Sequence, residues 1–347
     1  SSLKSIDVSK FNTSKVTKIY QMFCYCKLLK SIDVSNFDTS LVTNMKYMFC
    51  NCSYLEFINF SNINTSLVTS MEYMFKNCES LTSINLQGFD TSNVTSMVGM
   101  FYNCQLLTNL DFSTFNTSKV TKMNSMFFNC KKIISLDLSS FNTSNVNNMK
   151  LMFSHCNDLK LLDISNFNTS KVTNMQSMFN QCNKLKKIKG IENFNTINVT
   201  NMVAMFQLCE KLEYLDLTKF NTSNVTNMGA MFNKCHKLKN IKGIENFNIS
   251  KVTNMSVMFQ SCNELEHLDL SNFNTSNVDN MSCMFNVCNH LKEIKGLQNF
   301  NTKNVIDMTC MFNLCLQLKE IKGLENFNTN KVISMRGMFG ECIELEY

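Results

Sequence analysis

The stretch Val172-Thr173-Asn174-Met175-Gln176-Ser177-Met178-Phe179-Asn180-Gln181-Cys182 decides how the rest of the chain is read. Altered copies of it occur thirteen times, with the Met-Phe pair beginning at Met22, Met48, Met74, Met100, Met126, Met152, Met178, Met205, Met231, Met258, Met284, Met311 and Met338. The step between copies is 26 residues eight times and 27 residues four times. A fixed period in this range marks a solenoid, in which each coil buries its apolar face against its neighbours.

Within one copy, Val172, Met175, Met178, Phe179 and Cys182 stand at offsets 0, 3, 6, 7 and 10, which would share one helical face. Thr173 follows the Val, and Thr, Asn or Asp holds that position in eleven copies. Such residues cap helix N-termini. The pattern therefore predicts a short helical segment of about two turns in each coil, held by packing because so short a helix is unstable alone. Outside this segment lies a run such as Leu162-Asp163-Ile164, an apolar–polar alternation that predicts a short strand. A Ser-Asn-Phe-Asn-Thr-Ser turn follows it at 165–170.

All 25 Met residues fall in two columns of the repeat. Met fills irregular gaps and packs well on aromatic rings, so these columns read as core. The four longer steps share one cause, an added glycine: Gly190, Gly243, Gly296 and Gly323, each within Ile-Lys-Gly-(Ile/Leu). An extra residue that is Gly predicts a bulge or tight bend.

The 347 residues are 44% apolar and 17% charged, which suits a folded chain and not a disordered one. The net charge of +6 is mild and its lysines are dispersed, so nucleic acid is not implied. No run of 18 apolar residues is present, so direct membrane insertion through a helix is not expected. No leader is visible, and neither end of the array carries a distinct capping sequence, so one uncapped solenoid over 1–347 is expected.

The repeat Leu-x-x-Leu-Asp-Leu-Ser-x-Phe-Asn-Thr-Ser-x-Val-Thr-Asn-Met-x-x-Met-Phe-x-x-Cys resembles the 26-residue repeat of bacterial surface proteins, also called the BspA-like leucine-rich repeat or DUF285 family. The likeness runs the whole length of the chain. It implies an α/β fold: a right-handed leucine-rich-repeat-like solenoid of 13 coils, with one parallel sheet and short helical segments on the other face. It also implies an extracellular or cell-surface location and a role in adhesion or binding without catalysis. The family motif has no catalytic residues to carry over, and no cofactor is expected.

The polar strand column is the candidate binding face: Asp7, Asp33, Asp111, Asp137, Asp163, Lys189, Asp216, Lys242, Asp269, Lys295 and Lys322, with Asn59 and Asn85 between. Its first half is acidic and its second half nearly alternates in sign. Phe57, Tyr214 and His267 flank it. It reads either as the surface for a protein or glycan ligand, or as a solvated face with cross-strand Asp–Lys pairs. A structural alternative is a fibre subunit that joins copies of itself end to end through open coils.

Of 17 Cys, thirteen form the Met-Phe-x-x-Cys column, whose spacing suits small buried side chains and not a zinc site. The other four fall as same-column neighbours in consecutive coils, Cys24 with Cys50 and Cys283 with Cys310. They are candidates for two inter-coil disulfides, since strand-like rungs would bring their Cα atoms within the 4.4–6.8 Å that a disulfide spans, whereas side-by-side helices would not. Duplication of a repeat is the other explanation. The four histidines, His155, His236, His267 and His290, occupy unrelated repeat positions, and no catalytic grouping or phosphate loop appears.

Overall fold

A computed structural model of the chain describes residues 2–346. The chain divides into two compact units, Ser1–Lys171 and Val172–Tyr347. Each is a parallel β-solenoid of leucine-rich-repeat type. Unit 1 holds strands β1 (Ser31–Asp33), β2 (Phe57–Asn59) and β3 (Leu161–Asp163). Unit 2 holds β4 (Lys187–Lys189), β5 (Tyr214–Asp216), β6 (Asn240–Lys242), β7 (His267–Asp269) and β8 (Glu293–Lys295). Pairing is parallel and in register: β1 with β2 through Ile32↔Ile58, β5 with β6 through Leu215↔Ile241, β7 with β8 through Leu268↔Ile294. In each of these strands the middle residue is buried and its first neighbour is exposed.

Two expectations need correction. The strands do not join into one long sheet, and the thirteen repeats overstate the number of strand-bearing coils: among the described residues there are eight strands, joined at most in twos. The second correction concerns the helical segments, which do not form. Among the described residues the helical elements are four three-residue 3₁₀ turns, and all of them lie elsewhere, just after the added glycines.

The backbone hydrogen bonds explain the absence of helix. Around Phe179 the N–H groups alternate in direction. Those of Met178, Asn180 and Cys182 return to the carbonyls of Met175, Ser177 and Phe179, three residues back (3.2 Å each). Those of Ser177, Phe179 and Gln181 reach the next coil, to Val203, Met205 and Gln207 (2.8, 2.9 and 2.8 Å). A helix would turn every N–H inward along its own axis. Here Ser177 and Gln181 take left-handed φ values of 53° and 58°, which turn alternate amides outward. That conformation costs an L-residue roughly 1–2 kcal/mol, and the inter-coil bonds offset it. Consecutive three-residue turns bury the same offsets as a helical face, which is why the spacing imitates one.

The threonines expected to cap helices serve a ladder between coils instead. Thr200 donates its N–H to the Thr173 carbonyl at 2.9 Å and its hydroxyl to the same oxygen at 3.3 Å. The next residue closes a local turn instead, as where Asn174 Oδ1 accepts the Gln176 N–H at 2.9 Å.

The core is the stack of identical side chains. In unit 2, Phe179, Phe206, Phe232, Phe259, Phe285, Phe312 and Phe339 lie face to face, with centroids 5.5–5.8 Å apart. In unit 1 the same column runs from Phe23 to Phe153 at 5.4–6.0 Å. Met175, Met178, Met202 and Met205 have no exposure, as the core reading of the Met columns requires. The column cysteines from Cys26 to Cys315 are buried as well, and many of them add a directed contact. Cys209 Sγ donates to the Phe179 carbonyl at 3.2 Å, and Cys235 Sγ to that of Phe206 at 3.1 Å. Burial pushes the Cys235 thiol up to about 12, so it stays protonated and able to donate.

Candidate functional site

The candidate face is built on the strand column, and its two residue types have different local roles. Each Asp closes the turn that follows it. Asp7, Asp33, Asp111, Asp137, Asp163 and Asp269 accept, through Oδ1, the N–H two residues ahead (Ser9, Ser35, Ser113, Ser139, Ser165 and Ser271) at 2.8–3.0 Å. Asp216 does the same with Thr218 at 3.1 Å. This is an Asx turn, the usual use of Asp beside a bend. The second oxygen is left for a cross-coil partner: Asp33 Oδ2 takes the Asn59 amide at 3.0 Å, and Asp216 Oδ2 the Lys242 ammonium at 2.9 Å.

These bonds set the electrostatics. The Lys242 ammonium, then the Thr218 hydroxyl, hold the Asp216 carboxyl down at about 2. Hydrogen bonds from Ser9, Ser113 and Ser139 keep Asp7, Asp111 and Asp137 below the ordinary carboxylate range, and those from Ser35 and Ser271 do so for Asp33 and Asp269.

Lys189, Lys242, Lys295 and Lys322 stand at the same position but directly precede Gly190, Gly243, Gly296 and Gly323. In those coils the turn is closed differently. Gly243, at φ 91°, opens a 3₁₀ turn over Ile244–Asn246, and its N–H goes to Glu245 Oε2 at 3.0 Å. Gly190 is bonded likewise to Glu192 at 3.1 Å. A Cβ on Gly243 would lie 2.4 Å from the Thr218 backbone nitrogen, so a left-handed glycine is needed there for space as well as for φ. Once the glycine and glutamate close the turn, the column residue no longer has to be Asp. Lys takes the place and can pair back to its neighbour, as Lys242 does to Asp216.

A second outward column runs beside the first through Ser31 and Phe57 in unit 1 and through Tyr214, Asn240, His267 and Glu293 in unit 2. Phe57 is 61% exposed and Tyr214 49%. His267 Nδ1 lies 3.7 Å from Glu293. Between the columns in unit 2 lies an open recess of about 510 Å³, lined by Asn240, Lys242, Glu245, His267, Asp269, Glu293 and Lys295 over the apolar floor of Ile241, Ile244 and Leu268. Sequence reading singled out Tyr214 and His267 but missed Asn240, Glu245 and Glu293. The signal for Glu245 was its place two residues after the added glycine, which holds Glu at 192, 245 and 325 and Gln at 298. Among the described residues no group of three or more His, Cys, Asp or Glu side chains converges to hold a metal ion, and no helix is long and apolar enough to cross a membrane.

The cysteine pairs are not on this face. They sit in the turn ladder at adjacent coils, and all four carry thiols here. The rungs there are hydrogen-bonded backbone, not packed helices.

No curated protein matches this chain. Among solved structures it is similar to a leucine-rich repeat protein of Bacteroides ovatus (20% identity over 91% of this chain and 86% of that one, TM-score 0.37). It is also similar to a leucine rich cell surface protein of Faecalibacterium prausnitzii (16%, 95% and 82%, TM-score 0.39) and to a leucine-rich repeat protein of Eubacterium ventriosum (16%, 95% and 82%, TM-score 0.45). The family model described as "Mycoplasma protein of unknown function, DUF285" matches residues 1–106, 80–187, 152–242, 209–318 and 236–347, which together span the sequence. The chain therefore belongs to the DUF285 family of leucine-rich repeat proteins.

Proposed function

We propose that this protein is a non-enzymatic recognition module of the cell surface or extracellular space, which holds a protein or glycan ligand on the strand face of unit 2. The supporting observation is the column Tyr214, Asn240, His267 and Glu293, of which the last three line the recess and Tyr214 is the exposed rung paired with Asn240, while the turns are closed by other residues. An exposed Tyr next to amide, imidazole and carboxylate groups supplies flat apolar area and directed hydrogen bonds, a mixture suited to sugar hydroxyls or a polar protein surface. Repetition at a fixed rung spacing suits an extended ligand better than a small one.

The test is binding of the purified chain to a glycan array and to immobilised matrix proteins such as fibronectin and collagen. The expected result is binding to at least one of these that drops on the order of 10-fold or more in the double variant Tyr214→Ala/His267→Ala. Binding that is unchanged in this variant would place the ligand elsewhere. Failure to bind any member of either panel would count against the reading itself.

A further inference from the structure

Cys24, Cys50 and Lys76 occupy one column of consecutive coils. The backbone ladder sets their register: Tyr25 N–H bonds the Cys50 carbonyl at 2.8 Å, and Asn51 N–H bonds the Lys76 carbonyl at 2.7 Å. Hydrogen-bonded rungs lie about 4.8 Å apart, inside the Cα window of a disulfide. Two further groups lie beside the pair in the ladder, Asn51 next to Cys50 and Lys76 one coil on. The Asn51 side-chain amide donates to Cys50 Sγ at 3.2 Å, and its orientation is fixed because its oxygen accepts from Asn77 at 2.5 Å. The Lys76 ammonium lies over the rings of Tyr73 and Tyr102, 5.2 Å from each centroid. Cys24 is half-buried, whereas Cys50 is 3% exposed.

We propose that Cys24 and Cys50, with Lys76 and Asn51 beside them, form a thiol–disulfide exchange site that closes a covalent link between two coils, with a low-molecular-weight disulfide such as oxidised glutathione as oxidant. Cys24, the accessible partner, gives up its proton and attacks one sulfur of the small disulfide. That S–S bond breaks, and one small thiol leaves with a proton. Cys50 then loses its proton and attacks Cys24 Sγ in the mixed disulfide. The Cys24–Cys50 bond forms and the second small thiol leaves. Two protein thiols are oxidised, one small disulfide is reduced to two thiols, and two electrons and two protons pass between them. A cation and an amide donor beside a thiol favour its thiolate, the attacking form. Burial works the other way and raises both thiols, Cys50 to about 12, while Lys76 lowers each of them.

The Cys283–Cys310 pair is an internal comparison. Here the Cys310 thiol donates to the Arg336 carbonyl at 3.5 Å, and the charged neighbour is Asp307, which disfavours a thiolate at Cys283. It should form its link more slowly. This inference is independent of the recognition reading, since the two concern different faces and residues.

The experiment incubates the whole chain with oxidised glutathione at mildly alkaline pH, blocks remaining thiols by alkylation, and maps unreduced peptides by mass spectrometry over time. The expected result is a Cys24–Cys50 linked peptide that appears before any Cys283–Cys310 peptide, and several-fold more slowly in Lys76→Gln. In Cys50→Ser the reaction should stop with glutathione on Cys24. If that variant does not fold, Cys24→Ser at the more exposed position gives the parallel readout, with no linked peptide and Cys50 alkylated. Recovery of both wild-type thiols as separate alkylated peptides, or of Cys24 held as a glutathione adduct beside intact Cys50, would overturn the proposal. An unchanged rate in Lys76→Gln would remove Lys76 from it.

Discussion

Replacing Phe206 by Ala tests the stacked column directly. The ring has no exposure and lies between Phe179 (5.6 Å between centroids, planes 11° apart) and Phe232 (5.8 Å, 3°). Taking a fully buried aromatic ring out of apolar surroundings forfeits roughly 2–3 kcal/mol of transfer free energy. The two rings left facing the gap cannot move together, because their own backbones are held by rung bonds: Phe179 N–H to Met205 and Phe232 N–H to Met258, both at 2.9 Å. The cavity therefore persists, and the total cost is about 3–5 kcal/mol. Phe57, which is 61% exposed, is the control, and Phe57→Ala should fall within about 0.5 kcal/mol of wild type. Urea unfolding measures both. Coils of a solenoid couple mainly to their neighbours, so the loss should also appear as faster amide exchange at Phe179 and Phe206 themselves. A loss below about 1 kcal/mol for Phe206→Ala, or exchange that quickens evenly along the chain, would refute the column as the source of order.

Glycines provide a second contrast. Gly88 and Gly243 both take left-handed φ, 92° and 91°, but a Cβ meets nothing within 4 Å at Gly88 and lies 2.4 Å from the Thr218 nitrogen at Gly243. Thermal melts should show Gly88→Ala costing about 1 kcal/mol and Gly243→Ala distinctly more; equal costs would argue against the close approach. In the cysteine column, Cys235→Ser should be tolerated better than Cys235→Val in urea titrations, because a hydroxyl can still donate to the Phe206 carbonyl. If Val is the better substitute, the sulfur acts as apolar filling alone. Acid should loosen the strand-face turns. The folded-state carboxyls of Asp33, Asp111, Asp137 and Asp216 lie below their unfolded value, so their contribution is complete above about pH 4 and is lost as pH falls through the folded values, near 2 for Asp216. Asp216→Asn should flatten the acid limb of a stability–pH curve, and an unchanged limb would exclude that residue.

The fold was legible because one period governs the whole chain and the apolar columns can be read without knowing the backbone path. The path itself was not legible at the Met-Phe turns. Offsets of 3 and 4 arise from a helix and equally from successive three-residue turns, and what separates them here is left-handed φ at positions such as Ser177, Gln181 and Leu208. These are not glycines, so no residue type announces them. They are affordable because the next coil receives the rotated N–H groups, a non-local cause that one repeat does not display. The Thr column misled for the same reason: Thr bonds in one coil or between coils with the same hydroxyl. For the candidate face, the column was visible but its division of labour was not, since an Asp that closes a turn and an Asp that meets a ligand are spelled alike.

That division changes how the face should be probed. Exchanging Asp111 and Asp137 for Lys would seem the natural test of an acidic binding column, but both carboxylates accept the N–H groups that close their turns, at 2.9 Å. Loss of binding in such a variant would report a disturbed turn as readily as a lost contact. Lys occurs in the column where Gly and, in two coils, a bonded Glu have taken over the turn, so the alternation of sign in unit 2 follows from backbone geometry before any ligand is invoked. Charge at these positions is therefore weak evidence of what is bound. The column of Tyr214, Asn240, His267 and Glu293 has no such duty, and its residue types differ from coil to coil while the buried residue beside each stays Leu or Ile. If the proposed recognition role holds, this variation on an unchanging frame is where substitutions should alter binding without altering the fold.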